Sequence, residues 1–258
     1  MNVRQVLDWL NALAPFESAE DFDNVGLLMG DAEAKVHTVL FGMDVTEELA
    51  REAVSVGAEL IVTHHPFIFH ALKRIDYTGP QGRTLCLLAR GRVSVIAAHT
   101  NWDKASGGVS DSLAQALGLR GVVRADDYLR VGELPEPLSA DAFNSLIAER
   151  LHIRARRFGP LSEPLSRVAV AGGAYGEGGA LAASMGAQAF VVGEIRHHEL
   201  LDACARGLAV YDAGHFPTEL PGVTALYERF LADMTQADEP VRAMLHANAP
   251  YPGALLAF

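Results

Sequence analysis

Residues 58–65, AELIVTHH, decide the fold class, because they form an apolar run that ends in two adjacent histidines. A short run of aliphatic residues between a glycine and a proline is typical of a buried parallel strand. The preceding stretch, EELAREAVSV (residues 47–56), has Thr46 where a helix N-cap is expected and Gly57 where a C-terminal glycine is expected. A helix followed by a buried strand indicates an α/β protein.

The alternation of strand and helix continues on both sides of this stretch. Strands are predicted at residues 38–44 and 93–100, and a helix is predicted over about 82–90. The alternation becomes irregular at 119–167 and then resumes with the strands VAVAGG, QAFVVGE and LAVYDAGH. The sequence therefore predicts an α/β fold with two related lobes and mostly parallel sheets. The predicted lobes are residues 1–122 and 123–258, with the terminal helix free to pack back on the first lobe.

Composition and charge narrow the class of protein. The net charge of −11 disfavours stable binding to nucleic acid, because an acidic surface repels phosphate backbones. The first residues, MNVRQVLDWLNAL, form an amphipathic helical pattern with an internal acid, not a signal peptide. No stretch of about 18 apolar residues is present, so we expect a cytoplasmic protein without a membrane span. Two cysteines are too few for a Cys-rich zinc site.

The two halves of the chain repeat the same spacing of chemically active residues. Each half contains the tripeptide Ala-Arg-Gly, followed at equal distances by a histidine and a carboxylate. These pairs are His99 with Asp103, and His215 with Glu219. One strand earlier, His65 and Glu194 stand at matching distances after a Gly-Ala pair. The repeat predicts two related lobes that present strand ends to a shared cleft, where ligands bind in parallel sheets.

Five side chains at or just after these strand ends form a candidate metal site. They are His64, His65, Asp103, His215 and Glu219. Adjacent side chains on a strand point to opposite sides, so His64 and His65 suit two neighbouring ions better than one. An isolated His-His pair is more often structural, but this pair has three further candidate ligands. Imidazole and carboxylate ligands without cysteine predict two divalent ions per chain, with zinc, iron, manganese, nickel and magnesium all open.

Other polar residues near the predicted cleft have less defined roles. His99 and Glu194 are expected to orient metal ligands by hydrogen bonds, and both are also candidates for acid–base chemistry. His197 begins a predicted helix near the cleft, where it could transfer protons or simply face solvent. The glycines at 172–173 and 178–179 fit a tight turn and a phosphate-binding loop about equally well.

Five sequence blocks resemble the signature blocks of the Nif-three-like family, whose members are often named GTP cyclohydrolase 1 type 2 homologues. The blocks are DFDNVGLLMGD, GAELIVTHHPFIF, HTNWDKA, GEIRHHE and DAGHFPTE. The resemblance extends from about Val3 to Phe230 and fits the short bacterial form without an inserted domain. It implies a dinuclear metal site with the five ligands above and Glu219 as the bridge. It also implies a ring-shaped homohexamer.

Three functions remain open at this point. The resemblance implies a metal-dependent hydrolase for a nucleotide or related small molecule, in which hydroxide attacks C8 of the guanine ring of GTP and formate is released. A two-metal phosphoesterase is the second possibility, because His and carboxylate sites with two metals commonly hydrolyse phosphate esters. The third is a non-enzymatic protein that binds, delivers or senses metal.

Overall fold

The computed structural model describes residues 1–160 and 164–247. Within them the chain forms two compact units. Unit 1 comprises Met1–Ser106 and the described residues from Val223 onward, and unit 2 comprises Gly107–Gly222. Residues 107–122, which the sequence grouped with the first lobe, thus belong to unit 2. No helix among the described residues has both the length and the hydrophobicity to cross a membrane.

Unit 1 is a sheet with helices, built from both ends of the chain. Its elements are α1 (Val3–Leu13), β1 (Gly26–Met29), β2 (Thr38–Gly42), α2 (Glu47–Val56), β3 (Leu60–Thr63), α3 (Pro80–Gly91), β4 (Ser94–Ala97), α4 (Thr100–Lys104) and β11 (Arg242–His246). The strand order is β1-β4-β3-β2-β11, and all neighbours are parallel except β1 with β4. The predicted caps of α2 are confirmed: the Thr46 hydroxyl accepts the Leu49 N–H, and Gly57 is left-handed.

Both faces of this sheet are covered, which explains its continuous apolar strands. Leu40, Ile61 and Val95 are aligned across β2, β3 and β4 and pack with α2 and α3 residues in one core. Phe41, the next residue of β2, contacts Tyr227 and Phe230 at ring-centroid distances of 5.8 and 5.2 Å. The terminal helix therefore packs on the first sheet from residue 223 onward.

Unit 2 has a six-stranded sheet. Its elements are α5 (Val109–Ala116), β5 (Arg120–Arg124), β6 (Arg130–Leu138), α6 (Ala140–Leu151), β7 (Arg156–Phe158), β8 (Leu165–Ala174), α7 (Gly179–Ser184), β9 (Ala189–Glu194), α8 (His197–Ala205), β10 (Ala209–Asp212) and the first turns of α9 (His215–Gln236). The order is β5-β6-β8-β9-β10-β7. Only β8, β9 and β10 pair in parallel; the outer strands are antiparallel.

The second sheet is therefore mixed, whereas the first is mostly parallel as predicted. The antiparallel strands all come from residues 119–167 or pair with them, the segment in which the sequence pattern was irregular. Two apolar layers cover the sheet. One contains Val170, Val191 and Tyr211 with residues of α5 and α6; the other contains Phe190 and Val210 with residues of α7 and α8. An α/β architecture with two sheets is the fold of the chain.

Candidate metal centre

Three histidines meet at the carboxyl ends of the parallel strands of unit 1. His64 and His65 follow β3 directly, and His99 follows β4 and precedes α4. One ring nitrogen from each histidine lies within 4.8 Å of those of the other two. His64 is only 1% exposed, while His65 and His99 are partly exposed. The strand ends thus place two predicted ligands, His64 and His65, beside His99, which was expected to orient ligands or to take part in acid–base chemistry.

Each of these rings is oriented by a hydrogen bond at Nδ1. His64 Nδ1 lies 2.9 Å from the Ala98 carbonyl oxygen, His65 Nδ1 lies 2.8 Å from Asp44 Oδ1, and His99 Nδ1 lies 2.9 Å from Asp23 Oδ1. A carbonyl oxygen or ionised carboxylate can only accept, so Nδ1 carries the proton. Neutral rings therefore present a lone pair at Nε2. Metal-binding histidines in proteins are oriented in the same way, so these residues fit a divalent ion.

Asp23 is held ionised beside this group of histidines. Burial alone would raise the pKa of Asp23, but hydrogen bonds from His99 and Thr100 outweigh burial and hold the pKa well below its usual range. Thr100 donates to Asp23 Oδ2 through both its backbone N–H, at 3.0 Å, and its hydroxyl, at 2.5 Å. Asp23 therefore remains an acceptor near neutral pH and fixes the His99 ring.

The remaining predicted ligand of unit 1 is Asp103, which lies in α4. Asp103 Oδ1 is 3.5 Å from His64 Nε2. The short α4 begins immediately after His99, so one helical turn carries Asp103 back toward the end of β3. Unit 1 thereby places a carboxylate oxygen next to the nitrogen that His64 can offer to a metal.

Unit 2 contains a second group of donors, at the start of α9. His215 Nε2 lies 3.0 Å from Glu219 Oε1, one helical turn further on. His215 Nδ1 lies 3.2 Å from Glu194 Oε1, at the end of β9. Glu219 is only 4% exposed. A carboxylate buried to this degree needs a cation or several hydrogen-bond donors to remain charged, and a bound divalent ion would supply that charge.

The backbone around this second group is packed too closely for side chains. A Cβ atom on Gly173 would collide with Glu219 Oε1 and come within 3.3 Å of His215 Nε2. Gly173 also has a left-handed φ of 61°. Its N–H donates to the hydroxyl of Thr218, at 3.1 Å, and that hydroxyl lies 2.8 Å from the carbonyl oxygens of Gly214 and His215. These contacts support the tight-turn interpretation of glycines 172–173 and tie the end of β8 to the start of α9.

The internal repeat of the sequence corresponds to equivalent contacts in the two units. In unit 1 the rings of His65 and His99, which follow neighbouring parallel strands, are 5.4 Å apart. In unit 2 the corresponding residues, Glu194 and His215, form the 3.2 Å contact described above. In each unit a helix then begins and places a carboxylate, Asp103 or Glu219, four residues after its histidine.

The other candidate, His197, does not join either group. It is exposed at the start of α8, followed by the exposed His198. A polar cavity of about 210 Å³ lies nearby and includes Glu194, Arg196 and Glu199 in its lining. His197 is not among the residues that line it. No metal-donor group involving His197 was found among the described residues.

Two supporting residues were not identified from the sequence. Asp44, which contacts His65, ends the predicted strand over residues 38–44, so its place at a strand end was a usable signal. Thr218 gave no such signal, because its role depends on a buried hydroxyl that contacts backbone atoms from two elements. Asp23, in the loop before β1, also supports the group through its hydrogen bond with His99.

Comparisons with known proteins agree with this architecture. A family model described as Duf34/NIF3 (NGG1p interacting factor 3) matches residues 1–250. A "GTP cyclohydrolase 1 type 2 homolog" from Clostridium perfringens is 32% identical over 238 residues, covering 89% of this chain and 91% of the relative. One from Streptomyces coelicolor is 36% identical over 232 residues, covering 84% and 81%.

Solved structures match the fold over almost the whole chain. A Bacillus cereus protein related to NIF3 has a TM-score of 0.93 and 21% identity, with 98% of both chains covered. A hypothetical protein from Staphylococcus aureus has a TM-score of 0.90 and 26% identity, with 98% of this chain and 99% of that chain covered.

Proposed function

This chain belongs to the Duf34/NIF3 (NGG1p interacting factor 3) family, and from that premise we propose that it is a dinuclear metal-dependent hydrolase acting on a nucleotide or a related small molecule. The observation that carries the proposal is the orientation of the three histidines of unit 1. In all three rings Nδ1 forms a hydrogen bond with an oxygen acceptor, so that Nε2 is the nitrogen that can bind a metal. Three neighbouring histidines oriented in this way are typical of a metal site rather than of histidines with a structural role.

The proposed ligands are those expected from the sequence: His64, His65, Asp103, His215 and Glu219. Two divalent ions bound there would lower the pKa of a water molecule and polarise the bond to be hydrolysed. The metal is one of zinc, iron, manganese, nickel or magnesium, since nitrogen and oxygen ligands accommodate all five. Glu219 has two carboxylate oxygens and could contact both ions.

The supporting residues would position ligands and move protons. Asp44 contacts Nδ1 of His65, and Glu194 contacts Nδ1 of His215. Each contact fixes the direction in which Nε2 of that ring points. The Nδ1–H of His99 donates a hydrogen bond to the ionised Asp23. The Nε2 atom of His99 can therefore accept a proton, and the Asp23 carboxylate would stabilise the resulting imidazolium. His99 is therefore the proposed general base. His197 receives no role in this proposal.

The relatives suggest which substrate to test first. Two of them carry the name GTP cyclohydrolase 1 type 2 homolog. If that name applies to this chain, hydrolysis opens the guanine ring at C8 and releases formate. The family resemblance also leads us to propose a homohexamer, and the cytoplasmic location expected from the sequence stays a proposal.

Metal content per chain is the decisive first measurement. Elemental analysis of untagged protein, purified without chelators, should give about two divalent ions per wild-type chain. Glu219→Gln and His64→Gln should each lose at least one ion, because each removes a proposed ligand. His37→Gln is the matched control: its exposed ring contacts Glu59, away from the donor groups, so its metal content should equal the wild type. Wild type with one ion or none, unchanged by Glu219→Gln and by added metal, would contradict the proposal.

Activity assays then separate the three candidate functions. Metal-replete protein with GTP should release formate, and Glu219→Gln should not. Cleavage of phosphomonoesters or diesters without formate would identify a phosphoesterase. Normal metal content without any turnover, combined with rapid metal transfer to an acceptor protein, would favour a non-enzymatic metal-binding role.

A further inference from the structure

We propose that Phe22, Phe69, Lys73 and Arg74 form a nucleotide subsite beside the histidine group of unit 1. The two aromatic rings would bind the face of the base, and the two cations would bind the phosphates. The inference rests on the proposed function, because the ligand is the nucleotide class proposed as substrate. It adds the residues that would recognise that substrate.

The aromatic part of the subsite is an exposed pair of rings. The ring centroids of Phe22 and Phe69 are 6.3 Å apart and their planes are tilted by 45°. Phe22 is 65% exposed and Phe69 is 37% exposed. Phe69 is also 6.3 Å from the ring of His99. Two phenyl rings held together in water leave apolar π surface available for a planar partner.

Hydrogen bonds fix both rings next to the candidate metal donors. Phe22 precedes Asp23, whose carboxylate accepts from His99 and Thr100. Asn24 Nδ2 donates to the Ile68 carbonyl oxygen, at 2.5 Å, and Ile68 precedes Phe69. The two loops are thus joined to each other and to the histidine group. Because these loops are already held in place, binding a base on the two rings would cost less conformational entropy than binding it on a free loop.

The chain next to Phe69 supplies positive charge. Lys73 and Arg74 are exposed, and among the residues that the structure describes no ion pair involves either of them. Four residues of chain extend at most about 14 Å, so Lys73 stays within that distance of Phe69. In a chain with a net charge of −11, two adjacent cations without acidic partners suit an anionic ligand. A planar base joined to phosphates matches both parts of the surface.

Calorimetry with guanosine, GTP and inorganic triphosphate tests each part separately, using metal-replete full-length protein. Phe22→Ala and Phe69→Ala should each weaken guanosine and GTP binding about 5- to 100-fold, as expected for the loss of a base-stacking ring. Lys73→Gln/Arg74→Gln should weaken GTP and triphosphate binding but leave guanosine unchanged, and added salt should have the same effect. Tyr77→Ala is the matched control, since Tyr77 is 70% exposed on the same segment but is not part of the ring pair.

The outcomes that overturn the subsite are distinct from those that overturn the hydrolase. Wild-type protein that does not bind guanosine, or Phe variants that bind it as tightly as wild type, would contradict the subsite. Phe variants that change only the oligomer mass would place these rings in contacts between copies and also overturn it. Loss of guanosine binding in the Phe variants, with metal content unchanged and no hydrolysis by wild type, would retain the subsite and reject the hydrolase.

Discussion

At Gly173 the backbone of unit 2 comes so close to two candidate metal donors, Glu219 and His215, that an added side chain would collide with Glu219. The missing side chain of Gly173 leaves the space that Glu219 Oε1 occupies, and its φ of 61° disfavours any side chain. Gly173→Ala should therefore displace the Glu219 carboxylate and weaken metal binding by about 10-fold or more, consistent with the loss of a positioned ligand. Metal affinity measured by competition with a chelator of known affinity would quantify the effect.

Gly121→Ala separates this effect from backbone strain. Gly121 has a similar φ of 58°, but a Cβ atom there meets no other atom within 4 Å. Both variants should lose roughly 1–2 kcal/mol of stability from the left-handed conformation. Only Gly173→Ala should also lose metal. Equal metal affinity in the two variants would mean that the close approach at Gly173 has no role in metal binding.

At this scale, what the sequence could predict rests on residue type combined with position. His64 and His65 directly follow β3, and Asp103, in α4, lies beside His64 because β4 ends at the same edge of the sheet. The sequence could not show whether His99 binds a metal itself or orients another ligand, since either role requires a histidine at that position. It missed Thr218 because a hydroxyl that bridges backbone groups leaves no pattern along the chain.

At the scale of elements, β11 shows what a local pattern cannot predict. Its residues pair in parallel with β2, in a register that joins Met244 to Leu40 and His246 to Gly42. Nothing within Arg242–His246 specifies that partner, about 200 residues away in sequence. The same holds for β5 and β7, short antiparallel strands with exposed residues. The long α/β stretches were predictable because burial on both faces makes their apolar runs continuous.

A truncated chain tests the contribution of β11. Ending the chain after Val241 removes β11 and leaves the edge of β2, whose five residues are all buried, open to solvent. We expect a fall of about 5–15 °C in Tm, for the loss of several backbone hydrogen bonds and apolar contacts. Aggregation should also increase, because an apolar edge strand pairs with other chains.

The control is a chain that ends after Ala247, which retains β11 with the hydrogen bond between His246 and Glu52. Thermal unfolding followed by circular dichroism, together with light scattering, compares the two chains. If the shorter chain unfolds at the same temperature as the control and stays equally soluble, β11 does not stabilise the sheet.

At the scale of the whole molecule, contacts in the fold hold some of the carboxylates of this acidic chain in their ionised form. Several have pKa values below their ordinary range for different reasons. Burial opposes ionisation of Glu59, but hydrogen bonds from the N–H groups of His37 and Thr38 and from the His37 ring outweigh it. For Asp233 the main cause is a hydrogen bond from Trp9, joined by Arg229. Each such group favours the fold only while it is charged.

This linkage predicts the direction of acid unfolding. A carboxyl group with a lower pKa in the folded state contributes its full stability above its unfolded pKa, near 4, and loses it as the pH falls through the folded value. The Tm of chelator-treated protein should therefore decrease steeply below about pH 4. Metal must be removed first, since acid also displaces ions from histidine and carboxylate ligands.

Glu59→Gln tests directly whether the charge of Glu59 stabilises the fold, because glutamine keeps an acceptor oxygen but cannot ionise. At pH 7 the variant should be less stable than wild type by about 1 kcal/mol, the size typical of a partly exposed charged interaction. At pH 3 the difference should shrink, because wild type loses this contribution as the pH falls below the unfolded pKa toward the lowered folded pKa of Glu59. The exposed Glu228→Gln is the control and should follow the wild-type profile at every pH. A Glu59→Gln deficit that is as large at pH 3 as at pH 7 would show that packing around Glu59, rather than its charge, stabilises unit 1.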